Sequence, residues 1–231
     1  MMIVKPISEA SRHYVMEPIY NCQNTMFAME LLTRFDGGIS TEEHIRNMNP
    51  SEKQRLLIDQ LECVAKKRSY FIDNNLLLAI NIDYSMAVFL LQNHHIEHLL
   101  DDLSFIRFEI NERFPNLNDG KRNPLLSKLY NRYPLWLDDF GSGNANIYAV
   151  SQSLFNYVKL DKEFYWEMLR NRKGHLLPAL VSNIKKYCQG VIVEGVQNQS
   201  EYFLLKNCGV DGMQGHIYTT YALDKIPLYP K

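Results

Sequence analysis

Short apolar runs alternate with helical patterns along most of this chain. The runs are continuously apolar rather than alternating in polarity, which is typical of strands buried on both faces of a parallel sheet. Between them, apolar residues recur at helical spacing. We predict strands over 14–20, 26–35, 76–82, 105–110, 134–140, 157–161, 190–196 and 212–219, and helices over 51–67, 85–94, 121–133, 146–154, 162–187 and 200–208.

Seven or eight β/α repeats in a chain of this length favour a closed α/β barrel of the (β/α)8, TIM type over an open doubly wound sheet. The first two strands are joined only by the polar stretch at 21–25. Asn49 and Ser51 are both candidate caps for the helix over 51–67. Since no Pro/Ser-rich linker divides the chain, we expect one domain over 1–231.

Composition narrows the class of protein further. The 231 residues are 46% hydrophobic and 22% charged, with a formal net charge of −1, which argues against nucleic-acid binding. No apolar stretch reaches the ~18 residues of a membrane span, and the start lacks a secretory apolar core. The four cysteines lack metal-ligand spacing, so we expect them to be reduced in a cytoplasmic protein: Cys22, Cys63, Cys188 and Cys208.

Polar residues end nearly every predicted strand. In a barrel of this type the carboxyl ends of the strands share one mouth. A single polar residue in an apolar run is usually a boundary residue that finds a hydrogen bond. Here many converge: Glu30, Asn81, Glu109, Glu112, Asp138, Asp139, Lys159, Asp161, Glu194 and Gln214. Packed carboxylates repel each other unless cations neutralise them, and an oxygen-rich set suits Mg²⁺ or Mn²⁺.

The stretch PLWLDDFGSGNAN at 134–146 ends a buried strand on two carboxylates. A hairpin turn or a metal site would each explain this pattern. Neighbouring strand residues point to opposite faces, so Asp138 and Asp139 can serve one site only if the chain bends there. Gly141 and Gly143 make a bend inexpensive. We therefore expect both aspartates to be metal ligands, with the glycine loop as their hinge.

Taken together, these motifs resemble the EAL-domain family of cyclic-di-GMP phosphodiesterases, from roughly residue 14 to 227. The family's Glu-Ala-Leu-x-Arg motif corresponds to ELLTR at 30–34, and its Asp-Asp-Phe-Gly-Thr-Gly loop to DDFGSG at 138–143. Further matches are Asn81, the EINE motif at 109–112, Lys159 with Asp161, EGV at 194–196 and the pair Gln214-Gly215. The combination is specific, although EGV alone would mean nothing.

The resemblance implies a barrel whose first strand is antiparallel, and a role for each matched residue. The implied metal ligands for two Mg²⁺ or Mn²⁺ ions are Glu30, Asn81, Glu109, Asp138 and Asp139. The implied catalytic residues are Lys159 and Glu194, which would assist the hydrolytic water, together with Glu30. Arg34 and Gln214 would contact the substrate, while Glu112, Ser142 and Asp161 would stabilise loops. The implied reaction is hydrolysis of cyclic-di-GMP to the linear dinucleotide pGpG.

Three departures from the family pattern lie on the substrate and dimer sides. Phe35 replaces a tryptophan, and little else in 35–50 matches the segment that lines the nucleotide site. The loop over 144–150 differs from the one that couples dimers in active relatives, so a homodimer stays an open expectation. Gln197 replaces the acid that closes the Glu-Gly-Val-Glu motif.

The compact chain resembles the stand-alone EAL proteins of enteric bacteria, which act in motility and biofilm control. That subclass contains an active phosphodiesterase that promotes motility and silent members that bind the flagellar master activator and block it. We favour the enzyme, keep the anti-activator as the alternative, and weigh a non-hydrolysing cyclic-di-GMP receptor below both. A cluster of histidines, His94, His95 and His98, is expected to be solvated rather than metal-binding, and the cations at 66–68 to close a helix.

Overall fold

Eight strands close into a barrel in the computed structural model, which describes residues 11–38, 40–143 and 147–225. Strands β2 to β8 run parallel in chain order, and β1 lies between β8 and β2, antiparallel to both. The predicted barrel and its antiparallel first strand are therefore confirmed. The strands are β1 Arg12–Tyr20, β2 Met26–Phe35, β3 Leu77–Asn81, β4 Ile106–Asn111, β5 Leu135–Phe140, β6 Tyr157–Leu160, β7 Gly190–Val193 and β8 Gly212–Met213. A short β9, Tyr221–Ala222, also pairs with β1.

Helices cover the outside of the barrel. They are α1 Thr41–Asn47, α2 Pro50–Ala65, α3 Arg68–Asp73, α4 Tyr84–Gln92, α5 His94–Asp101, α6 Pro124–Arg132, α7 Ile147–Ser151, α8 Lys162–Arg170, α9 Leu177–Ile184 and α10 Gln199–Cys208. Turns of 3-10 helix cover Leu117–Arg122, Gly174–Leu176 and Leu223–Lys225.

The single helix predicted over 162–187 is wrong, because the chain breaks into α8 and α9. Arg172 adopts a positive φ of 55°, and Pro178 sits in the first turn of α9, where a missing N–H is tolerated. Helices α1, α3 and α5 were not predicted. Each has eight residues or fewer, too short for a clear apolar period.

The start of α2 shows how local chemistry sets an element boundary. Asn49 caps the helix by accepting a hydrogen bond from the backbone of Glu52, whose side chain accepts one from the backbone of Asn49 in return. This reciprocal arrangement satisfies two N–H groups that the first turn leaves unpaired. Of the two candidate caps, Asn49 is the correct one, and Ser51 lies inside the helix.

Apolar side chains fill the half of the barrel interior that lies away from the carboxyl ends of the parallel strands. Side chains of alternate strand residues point inward and form a buried layer of Ile19, Ala28, Ala79, Trp136 and Ile192. Trp136 is fully buried and is the largest of them. Because this layer fills the barrel interior, the polar residues that follow it along the parallel strands meet at the carboxyl ends of those strands.

Two further expectations concern the chain as a whole. All four cysteines are free thiols. Among the helices of the described ranges, none is both long enough and apolar enough to cross a membrane.

Candidate metal centre in the barrel mouth

Lys159 stands at the centre of the mouth. Its side chain is 0% exposed, and its Nζ lies 2.9 Å from Glu30 Oε2, 3.3 Å from Glu109 Oε1, 3.1 Å from Asp138 Oδ1 and 2.7 Å from Glu194 Oε1. These residues come from five different strands or strand ends. Because they are spread along the chain from position 30 to position 194, only the closed barrel brings them together.

The acids keep this lysine charged. Burial alone would lower the pKa of Lys159, because a low-dielectric interior disfavours the charged form. The surrounding carboxylates outweigh that effect and raise the pKa well above its usual value. Lys159 is therefore an ammonium ion that neutralises part of the negative charge in the mouth.

Glu30 is surrounded by hydrogen-bond donors. It accepts from Asn81 Nδ2 at 2.7 Å, from Lys159 Nζ at 2.9 Å and from Gln214 Nε2 at 2.6 Å. Burial raises the pKa of Glu30, but the charge of Lys159 and these hydrogen bonds prevail, so the pKa is lowered. Glu30 is thus held ionised even though it is buried.

In the other acids, burial and neighbouring carboxylates raise the pKa while the charge of Lys159 lowers it. Burial and the neighbouring carboxylates raise the pKa of Glu109 and Glu194 well above the usual range and raise that of Asp138 as well, despite the attraction of Lys159. Burial and the charge of Asp138 raise the pKa of Asp139 to about 7. One ammonium does not neutralise this many carboxylates, so these acids hold their protons more tightly than free carboxyl groups do.

The donor set fits divalent cations. An ammonium has three N–H bonds, yet four carboxylates surround it. Within the described part of the chain, Glu109 Oε1 and Asp138 Oδ1 are buried without a well-aligned hydrogen bond. Two groups of three oxygens each lie within 4.8 Å of one another: Glu30, Glu109 and Asp138 form one, and Asp138, Asp139 and Glu194 the other. Both groups share Asp138. All-oxygen ligands suit hard ions such as Mg²⁺ and Mn²⁺.

The bend that brings both aspartates to the site lies at Asp139 itself. The register between β5 and β6 shifts between Leu137 and Phe140, and Asp139 has a φ of 58°, in the left-handed region. This irregularity turns both neighbouring side chains towards the mouth, as a regular strand would not. Gly141 and Gly143 follow with φ of 107° and 110°, so the predicted glycine bend continues a turn that has already begun.

Glu112 ties down the loop after β5. Its carboxylate accepts from the backbone N–H of Gly141 at 2.8 Å and from the hydroxyl of Ser142 at 2.9 Å. A side chain at the Cβ of Gly141 would meet the ring of Phe164 at 2.5 Å, which adds a packing reason for glycine there. Glu112 therefore stabilises this loop, and it lies outside the cluster of acids around Lys159.

Two predicted site residues lie apart from the cluster. Arg34 is exposed, donates to the carbonyl of Thr33, and lines a cavity of about 590 Å³ that opens beside Asn81, Asp138 and Asp139. Asp161 caps α8 by accepting from the backbone of Phe164 at 2.9 Å, so its side chain stabilises a helix start.

Glu17 is a residue of the mouth that the strand-end pattern did not reveal. It lies opposite Glu30 in the antiparallel β1–β2 pair, in the middle of its strand rather than at the end. Burial and the charge of Glu30 raise the pKa of Glu17, against the attraction of Lys159 and Arg34. Only the reversed direction of β1 gives a mid-strand residue this position, although a polar residue inside an apolar strand was visible in the sequence.

The departures from the family pattern fall around the mouth. Phe35 packs against His44 of α1 with ring centres 4.1 Å apart, and Gln197 is exposed. Residues 144–146 of the altered loop lie outside the described residues. His94, His95 and His98 lie at the surface on α5, and none belongs to a metal-binding group within the described part of the chain.

Comparisons with known proteins agree with the fold and the motifs. Residues 6–220 match the EAL domain. The chain is 29% identical over 214 residues to the cyclic di-GMP phosphodiesterase PdeH of Escherichia coli K12, covering 90% of this chain and 82% of that protein. It is 25% identical over 215 residues to the anti-FlhC(2)FlhD(4) factor YdiV of Salmonella typhimurium LT2, covering 90% and 91%.

A solved structure of the EAL-like domain protein YdiV superposes with a TM-score of 0.84 at 28% identity, over 92% of this chain and 93% of that one. The family match spans nearly the whole chain, and the antiparallel first strand and the acid-lined mouth are in the positions that the motifs imply. The chain is a member of the EAL domain family.

Proposed function

We propose that this protein is a cyclic-di-GMP phosphodiesterase that uses two divalent cations, Mg²⁺ or Mn²⁺. The observation that carries the proposal is the pair of three-oxygen groups that share Asp138, with a buried ammonium beside them. A purely structural cluster would gain nothing from burying four carboxylates around a single ammonium, because the desolvation of charged groups is costly. The proposed ligands are Glu30, Asn81, Glu109, Asp138 and Asp139, with Glu194 adjoining the second group.

The reaction is attack of water on one phosphorus, with cleavage of its bond to a ribose oxygen. Bound divalent ions supply Lewis-acid activation of the water and of the phosphodiester. Lys159 contributes a fixed positive charge to the phosphoryl oxygens. Glu194, which belongs to the second group of oxygens and contacts Lys159, would accept the proton of the water. The leaving ribose oxygen is protonated from solvent, and the product is the linear dinucleotide.

The cavity beside the acids has room for a nucleotide. Its volume of about 590 Å³ lies within the range of roughly 300–1,000 Å³ that is usual for ligand pockets. Arg34 and Asp139 both line it, so a ligand in the cavity has its anionic part close to the acid cluster and to a cation at once. This placement supports a phosphodiester substrate.

A turnover assay with cyclic-di-GMP tests the proposal. The purified protein with Mg²⁺ or Mn²⁺ is expected to release the linear dinucleotide, and chelation of the metal to stop it. Glu30→Gln should lower kcat by about 100-fold or more, since it removes a ligand charge at the centre of the network. Glu163→Gln, an exposed acid on α8, is the matched control and should leave turnover unchanged. Absence of product from the wild-type protein under conditions where PdeH is active would refute the proposal.

A second function, capture of the flagellar activator FlhD/FlhC, is favoured by the likeness to YdiV. The YdiV structure superposes over 92% of this chain, so the outer surface that such a partner would meet has the same framework. Motility separates the two functions. If Glu30→Gln represses motility as well as the wild type does, the protein acts as an anti-activator. If deletion of the gene lowers motility, the phosphodiesterase stands.

A further inference from the structure

The cavity beside the acid cluster has a cationic wall. Arg34, Arg46, Lys53 and Arg113 all line it, and so do the acids Glu42, Asp83, Asp138 and Asp139. Arg46 belongs to α1, in the segment that departs from the family pattern, and Arg113 follows β4. A ligand bound in this cavity therefore meets both candidate metal ligands and guanidinium groups.

One carboxylate oxygen holds two of these cations. Glu42 Oε1 accepts from Arg46 Nη2 at 2.6 Å and from Arg113 Nη1 at 2.9 Å. Both arginines keep further N–H groups, because a guanidinium has five and each of these bonds uses one. Lys53 is paired with Asp83 at 2.7 Å and is mostly buried, so it is a fixed part of the wall rather than an available one.

The Glu42 pairs are easy to break. The side chains of Glu42, Arg46 and Arg113 are 70%, 59% and 59% exposed, and exposed ion pairs contribute little to stability. An Arg–phosphate contact can form two parallel hydrogen bonds, which one carboxylate oxygen shared between two arginines does not provide. A phosphate that enters the cavity can thus replace Glu42 at both guanidinium groups.

Helix α1 can release Glu42 without disturbing the barrel. It follows β2 through Gly37 and Gly38, both of which have a positive φ and, among the described residues, no neighbouring atom within 4 Å of the point where a side chain would begin. Its buried anchor is His44 against Phe35, on residues other than those that face the cavity. The side chain of Glu42 is therefore free to reorient at the rim.

We propose that Arg46 and Arg113 bind the second phosphate of a cyclic dinucleotide, and that Glu42 occupies this subsite until the ligand displaces it. The inference rests on the proposed phosphodiesterase function. It assigns the altered segment around α1 a role in selecting ligands with two phosphates. The same three residues could instead only hold α1 in place, as a structural strap. In that case the loss of the Glu42 charge would raise KM for cyclic-di-GMP rather than lower it.

The test compares KM for cyclic-di-GMP with KM for bis(p-nitrophenyl) phosphate, which has a single phosphodiester. Glu42→Gln removes the competing anion and should lower KM for cyclic-di-GMP about threefold. Arg113→Gln should raise it about tenfold, since it removes charged hydrogen bonds to phosphate. With the single phosphodiester both effects should be at least about threefold smaller, because that probe has no second phosphate.

Matched controls are Glu43→Gln, on the same helix, and Arg55→Gln, an exposed cation on α2 that does not line the cavity; both should leave KM unchanged. A rise in KM for Glu42→Gln identifies a strap and overturns the inference, as does equal KM for Arg113→Gln and wild type. In both cases the wild-type protein still hydrolyses cyclic-di-GMP. If it hydrolyses neither substrate, the proposed function fails and the inference falls with it.

Discussion

At the scale of single residues, the mouth is governed by the ratio of acids to cations. Lys159 is fully buried and is the one ammonium in contact with Glu30, Glu109, Asp138 and Glu194 among the described residues. Removing charges from water is costly, and an ion pair repays that cost only when its partners are saturated with hydrogen bonds. Here several acceptors are left over, so the folded state carries repulsion that a divalent cation would relieve.

Asp139 should make the stability of the metal-free protein depend on pH. The folded pKa of about 7 lies above the ordinary value of 3.8, so the folded protein holds a proton that the unfolded chain has released. Stability from this group is therefore complete below about pH 4, declines as the pH rises to about 7, and is constant above. Asp139→Asn removes the ionisation and keeps a residue type that tolerates a positive φ.

We expect Asp139→Asn to raise Tm in the presence of chelator at pH 8 by several degrees, and to leave it unchanged near pH 4. Thermal unfolding across the pH range measures the difference. Asp161→Asn is the control, because it also replaces a nearby aspartate. That residue caps the start of α8, where a negative charge is favourable, so its replacement should not raise Tm at pH 8. A constant difference at all pH values would contradict the role given to Asp139.

At the scale of elements, the loop after β5 is held by a side chain from the neighbouring strand end. Glu112 bonds both the backbone of Gly141 and the hydroxyl of Ser142, which fixes the loop next to Asp139. The motif spacing allowed the residue to be named from the sequence. Its partners could not be derived from spacing alone, because they lie 29 and 30 positions away and meet only when β4 and β5 pair.

Glu112→Gln should loosen this loop. An amide is uncharged and offers one acceptor oxygen in place of two, so both hydrogen bonds lose their charged acceptor and the one to Ser142 has to reverse its direction, at a cost of about 1–2 kcal/mol. We expect faster amide exchange at 141–143 and a lower kcat, with a smaller effect for Ser142→Ala, which removes only the hydroxyl. Hydrogen-exchange mass spectrometry measures the first. Equal exchange in wild type and Glu112→Gln would show that packing holds the loop.

At the scale of the whole molecule, the barrel closes through a seam at β8, which makes few backbone pairs with its neighbours β1 and β7. β1 pairs with β2 over nine positions, but it pairs with β8 only at Tyr20 and Met213, and β8 pairs with β7 over two positions. Gln214, which bonds Glu30, directly follows β8. The closure of the mouth therefore depends on few backbone hydrogen bonds.

We expect amides of residues 212–222 to exchange faster than those of β3 and β4, which are paired on both sides over four positions. Mg²⁺ or Mn²⁺ should slow exchange at the seam if ions draw Glu30 and its neighbours together. Native-state hydrogen exchange, with metal-free and metal-loaded samples, gives both readings. Uniform protection around the barrel would show that side-chain packing closes it.

The alternation of strands and helices, the barrel class and the polar residues at strand ends could all be predicted from the sequence. Each of these is a local property, since period, composition and position along a strand are evident within a few residues. Short helices such as α1, and the break between α8 and α9, were missed. A segment of so few residues shows too little of the helical repeat of apolar positions to be recognised.

Which charges meet depends on the tertiary fold. Glu17 joins the mouth because β1 runs antiparallel, Lys159 reaches four acids because the barrel closes, and Glu42 reaches Arg113 because α1 lies next to the residues that follow β4. These contacts depend on strand direction, register and closure. Such features are set by packing between distant parts of the chain, and no local pattern of residues encodes them.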